Sequence, residues 1–232
     1  MALLFPISCA GKKGGLPLGA PANYWDLNDS GFSNLVEPSL NFVAVGDTPI
    51  VESGTAPNGG DCVVTSDTAS LVRTILGKQQ VTISIWIDLT INSPRYTPTF
   101  CWRNTSVNGT YMMLGVTSSN TALWSYNIHN ERSMSVTPQF ATDGWVHWLL
   151  TYDGSIMRCY KNGVTQGTAS YTCSVCERSR PLRLGRNWGT GHSPAKFSML
   201  GHWDEAPADE EAAQATADYL YNGGLGRLYT EL

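Results

Sequence analysis

The stretch 145-WVHWLLTYDGSIMRCYKNGV-164 holds two runs of β-forming residues and two turn dipeptides in twenty positions. Asp153-Gly154 and Asn162-Gly163 both accept the positive φ values that a tight primed hairpin turn requires. Two such turns in succession predict three antiparallel strands, Trp145 to Tyr152, Ser155 to Lys161 and Val164 to Thr168. That order is a meander and not a βαβ unit.

Outward from the meander, Val81 to Thr90 is the clearest single strand. Val81, Ile83, Ile85, Ile87 and Leu89 alternate with Thr82, Ser84, Trp86, Asp88 and Thr90, the period of two that places one set on a core. Trp86 then lies on the opposite side of the sheet, covered by a loop or open to a ligand. Shorter β pieces are expected near Asn23 (in NYWDLNDSG), at Asn41 to Val45, Asp61 to Thr65, Thr97 to Arg103, Thr110 to Val116, Thr121 to Ile128, Pro181 to Arg186 and Lys196 to Gly201. Gly, Pro and Asn punctuate the gaps. Strands at this spacing indicate a sandwich or jelly roll. The one helical pattern is Asp209 to Tyr221, acidic in its first turn and followed by Asn222-Gly223-Gly224, as a helix dipole and a C-cap require.

Composition narrows the function. A net charge of -4 gives no electrostatic support for binding nucleic acid. No apolar run approaches the roughly 18 residues needed to span a bilayer, so no membrane partner is expected. Residues 1–22, rich in Gly, Pro, Lys and Leu, read as an N-terminal arm before a domain at 23–232. The start lacks the basic and apolar regions of a secretion signal, which reads as an unprocessed chain. Leu3, Leu4, Phe5 and Ile7 would be more comfortable docked on another surface than in water. Among the six cysteines only Cys173 and Cys176 have a suggestive spacing, and one pair without a second is weak for zinc. The sequons at Asn104 and Asn108 matter only in a secretory pathway.

Taken in order, NYWDLNDSG, VTISIWIDL, WVHWLLTYDGSIMRCYKNG, LRLGR, LGHWDEA and ADYLYNGG resemble the laminin G-like, concanavalin A-like jelly rolls found in lectin modules, extracellular enzymes and phage structural proteins. The resemblance spans about Tyr24 to Gly226. It implies an all-β, two-sheet antiparallel jelly-roll sandwich with one short C-terminal helix. It also implies calcium as the one cofactor to consider, with Asp29 and Asp204 as ligands, although Asp serves turns as often as metals. Two departures stand out: Trp203 replaces the usual Ile before Asp204-Glu205, and Ala206-Pro207 interrupts the strand expected next.

Catalysis is not expected. Retaining glucanases of this fold need paired carboxylates about 5 Å apart, and no strand carries alternating Glu residues; no nucleophile elbow or HExxH pair occurs either. His129, His147, His192 and His202 are scattered. Trp86, Trp102, Trp124 and Trp188 are candidate sugar platforms, because aromatic faces stack on sugar rings, although most Trp in a sandwich belong to its packing. The leading expectation is a non-catalytic virion protein decorating a capsid or tail, docked through its arm and homo-oligomeric, with glycan or host-surface adhesion as a further role. The alternative is a lectin-like carbohydrate-binding module of a secreted or cell-surface protein.

Overall fold

The computed structural model describes residues 16–88, 90, 98–103, 110–116, 124–128, 132–136, 144–172, 179–186 and 194–232. In chain order the strands are β1 (Asn23–Trp25), β2 (Val43–Gly46), β3 (Ile50–Glu52), β4 (Cys62–Val64), β5 (Ala69–Leu76), β6 (Val81–Asp88), β7 (Pro98–Arg103) and β8 (Thr110–Val116). They continue as β9 (Trp124–Ile128), β10 (Arg132–Val136), β11 (Trp145–Tyr152), β12 (Ile156–Lys161), β13 (Val164–Ser170), β14 (Ser179–Leu184) and β15 (Lys196–Trp203). One α-helix, α1 (Glu210–Tyr221), follows. None of the described helices is long and apolar enough to cross a membrane.

Two antiparallel sheets face each other. One runs β13-β12-β11-β6-β15-β4-β3, with β1 also on β15; the other runs β10-β9-β8-β7-β14-β5-β2. This is the expected jelly-roll sandwich. β4 and β1 share one edge of β15 end to end, pairing at Lys196–Phe197 and at Leu200–His202. Between those stretches the β15–β6 register shifts from Ser198 to Gly201, and Met199 turns to φ 47°. The shift marks a bulge in β15.

The meander is present, with one difference in its turns. Asn162 and Gly163 both have positive φ, 51° and 78°, as a two-residue primed turn demands. Asn162 Oδ1 also accepts the His147 amide at 2.8 Å, tying the turn back to β11. The first turn is different. The β11–β12 ladder ends at Tyr152 and Met157, and Asp153 Oδ1 takes the amides of Ser155 and Ile156 at 2.9 and 2.8 Å. The aspartate side chain thus replaces the carbonyl of a tight turn.

Between the sheets lies one core, in which Val81, Ile83, Ile85 and Ile87 meet Phe100, Trp102, Leu182 and Leu184 across the sandwich, with Trp25 and Trp148 in the same cluster. The opposite face of β6, expected to be polar and partly open, is also buried along its whole length. Two layers cover that sheet. Ala213, Ala217 and Leu220 of α1 pack with Leu149, Tyr160 and Trp203. The C-terminal tail brings Tyr221, Leu228 and Tyr229 over Tyr24, Trp86 and Met199. Leu18 joins the helix cluster, Trp203 Nε1 donates to Gly19 O at 3.0 Å, and the Gly19 amide donates to Glu205 at 2.6 Å. Leu18 and Gly19, within the stretch expected to be an arm, thus contact the domain.

Candidate functional site

At the end of the sandwich where β5 leaves toward β6, four separate segments enclose a pocket of about 340 Å³, within the ~300–1,000 Å³ typical of small-molecule sites. Val36, Leu40, Ile75 and Leu76 supply apolar wall, and Asn23, Glu37, Lys78 and Asp204 supply polar groups. Leu76 is half exposed there. A second hollow of about 210 Å³, lined by Asp47, Ile50, Thr65 and Thr68 among others, lies at the opposite end of β5. Its Thr65 hydroxyl is already engaged with Ala195 O at 3.1 Å.

A buried chain of side-chain amides underlies the larger pocket. Asn34 Oδ1 accepts the amides of Val36 and Glu37, each at 3.0 Å, and of Tyr24 at 3.4 Å. Three N–H donors fix which end of the Asn34 amide is oxygen. Asn34 Nδ2 must then donate to Asn23 Oδ1, at 2.8 Å. Asn23 Nδ2 in turn faces His202 Nδ1 at 2.9 Å. An amide N–H can only donate, so Nδ1 is the acceptor and the proton of the neutral ring sits on Nε2. That Nε2–H has no normal hydrogen-bond partner in the fold and faces Asp204 Oδ1 at 3.4 Å.

The electrostatics follow from this burial. His202 is enclosed, edge-on to Trp102 with centroids 5.3 Å apart. Desolvation first, and the charge of Lys78 second, pull its pKa from 6.5 to about 3, so the ring is neutral at ordinary pH. Burial raises the Asp204 carboxyl above the usual range, and Lys78 partly offsets that rise. Glu37 is shifted the other way, because its carboxylate accepts hydrogen bonds from the Ser39 side chain and, second, from the Ser39 N–H at 3.3 Å.

The residues named from the sequence fall in different places. Asp204 reaches the pocket. Asp29 does not: its Oδ1 accepts the Ser33 amide at 3.1 Å and closes a turn. Among the described residues no group of three or more His, Cys, Asp or Glu could hold a metal ion. Trp102 is fully buried between the sheets, and Trp86 is covered by Tyr221 at a centroid distance of 5.8 Å. Both rings are thus covered in this fold. Trp124 begins β9. Trp188, Leu3, Leu4, Phe5, Ile7, His129, His192, Cys173, Cys176 and both sequons lie outside the described residues.

His147 is enclosed between Trp86 and Tyr221, with Nε2 at 2.9 Å from Ser84 Oγ, and burial pulls its pKa to about 3. It serves the packing. Cys62, Cys101 and Cys159 are buried and form no disulfide with one another, and burial pushes Cys159 well up from the ordinary value. The pocket residues Asn23, Glu37 and Lys78 were missed from sequence. The only local signal was Asn23 opening the NYWDLNDSG motif and Asn34 three residues beyond it.

The two facing antiparallel sheets and the helix on the back of one define a jelly-roll sandwich. The chain belongs to the concanavalin A-like lectin/glucanases superfamily, whose family model matches residues 58–213. No curated protein matches it by sequence. Among solved structures it is similar to domain 4 of an extracellular arabinanase from Geobacillus stearothermophilus, in complex with arabinotriose: TM-score 0.65, 12% identity, 90% of this chain and 98% of that one covered. It is also similar to the binding domain of Paraclostridial Mosquitocidal Protein 1 (TM-score 0.62, 11% identity, 87% of this chain and 52% of that one). A third similar structure is the botulinum neurotoxin serotype D ligand-binding domain in complex with N-acetylneuraminic acid (TM-score 0.59, 12% identity, 86% and 50%). At such identities these likenesses establish the fold.

Proposed function

We propose that the chain is a non-catalytic, lectin-like module that binds carbohydrate in the pocket of Asn23, Glu37, Lys78 and Asp204. The observation that carries this is the pocket itself. An apolar wall formed by Leu40, Ile75 and Leu76 faces hydrogen-bonding groups of both kinds, the combination a sugar ring needs for its C–H face and its hydroxyls. Asp204 turns Oδ1 toward the ring N–H of His202, which leaves Oδ2 to accept a hydroxyl proton. Support comes from two similar structures, the binding domain of a mosquitocidal protein and an arabinanase domain solved in complex with arabinotriose. Glu37 caps the short helical turn at Pro38–Leu40, a role that suits it poorly to acid–base chemistry.

A glycan array followed by titration tests the reading. Wild type is expected to retain at least one glycan without releasing reducing ends, and Asp204→Ala and Leu76→Ala are expected to lose it. Silence across the array would reject sugar binding, and retention by both variants would reject this pocket.

The setting we favour is display on a virion, as a capsid or tail decoration, with an extracellular module as the alternative. The supporting feature is the apolar run Leu3, Leu4, Phe5 and Ile7, which precedes a segment anchored beside α1 at Leu18. Removing residues 1–15 spares that anchor. Undiminished co-purification of the shortened chain with particles would rule out docking through the arm.

A further inference from the structure

The pocket's charges point to a more specific ligand, an inference that rests on the carbohydrate reading above. Its ionisable lining is Glu37, Lys78 and Asp204, two carboxylates against one ammonium. Glu37 is held to Ser39, by its hydroxyl first and its amide second, which favours the ionised form. Asp204 is faced by a His202 N–H whose direction is set from behind by Asn23 and Asn34. His202 is 1% exposed and its Nε2 makes no hydrogen bond, so the Asp204 carboxylate beside it keeps its acceptor capacity for a ligand. The site therefore offers an excess of negative acceptors to a ligand resting on Leu76.

We infer that the pocket selects saccharides carrying a free ammonium group, such as 2-amino sugars, over their neutral and N-acetylated counterparts, and disfavours uronates and sialic acids. An ammonium donates three charge-assisted hydrogen bonds to carboxylates. Acetylation removes its charge while keeping an N–H, and a sugar carboxylate would face two like charges with one lysine to offset them.

The test presents, on several hexose backbones, matched neutral, 2-amino, N-acetyl and uronate oligosaccharides to the full chain, with dissociation constants measured by calorimetry. The amine-bearing form should bind about fivefold or more tightly than its neutral parent, the scale of one partly exposed ion pair. That gap should close in Glu37→Gln, in Asp204→Asn and at about 1 M salt, where the Debye length is ~3 Å. Glu37 is exposed, so its variant keeps the test open if Asp204→Asn folds poorly. Binding in which the amine gives no advantage, or in which the uronate binds as well, overturns this inference and leaves the carbohydrate reading standing. Binding of no saccharide at all overturns both.

Discussion

Gly185 shows how a single residue holds the two sheets in register. It has φ +71°, and a β-carbon there would lie 2.5 Å from Thr65 Cβ. Thr65 cannot yield, because its hydroxyl accepts the Ala195 amide and donates to the Ala195 carbonyl, both at 3.1 Å. Gly185→Ala should therefore cost about 2–3 kcal/mol, from left-handed strain plus overpacking, measured as the shift in urea unfolding. Two buried histidines make a second residue-scale prediction. Burial, joined at His202 by the charge of Lys78, takes His147 and His202 from 6.5 to about 3, so the unfolded chain binds protons first as pH falls. Stability is complete above pH 6.5 and declines toward pH 3, at up to about 1.4 kcal/mol per pH unit for each ring. Unfolding midpoints at pH 7 and pH 5 should differ less in His147→Gln than in wild type. An unchanged difference would contradict the assignment.

The elements were legible where local chemistry and tertiary context agreed. The meander and α1 were read within a residue or two of their observed ends, because turn dipeptides and an acidic first turn act locally. Asp209, read as the first helical residue, is the N-cap, with Oδ1 accepting the Ala212 amide at 2.8 Å. Asp209→Ala should lose about 1 kcal/mol, seen as a lower thermal midpoint with the β signal of circular dichroism unchanged at room temperature. β5 was missed for a physical reason. Ala69, Leu71 and Ile75 point to the core, but Arg73 occupies the same phase and breaks the alternation. Its guanidinium escapes to Ser39 O at 2.6 Å, near the sheet edge. β3 and β10 were missed as well, being strands of three and five residues whose pairing is decided by neighbours distant in sequence.

At the scale of the whole molecule, the fold was readable because period-two patterns and their order survive in one dimension. The pocket was not. Its polar groups come from residues 23, 37, 78 and 204, and nothing in the sequence says that these four meet. Trp86 shows the same limit: its face of the sheet was read correctly, but the tail that covers it lies about 135 residues later, passing over the ring at Gly226, where a β-carbon would come 2.7 Å from Trp86 Nε1. The arm boundary follows this logic and can be tested. Removing residues 1–15 should leave the thermal midpoint unchanged. Removing residues 1–22 should lower it, since full burial of one Leu contributes about 1.5–3 kcal/mol and Leu18 is buried to 7%.

The pairing of β1 with β15 also has a temporal meaning. Asn23 meets His202 across 179 residues, so at ~5–20 residues per second a ribosome needs roughly 10–35 s after making one before it has made the other. For that interval Tyr24 and Trp25, both buried at the end, lack the β15 partner that β1 pairs with. The first strand synthesised is thus among the last to be enclosed, and the opening aromatic segment is where a holding chaperone would find its longest-lived target.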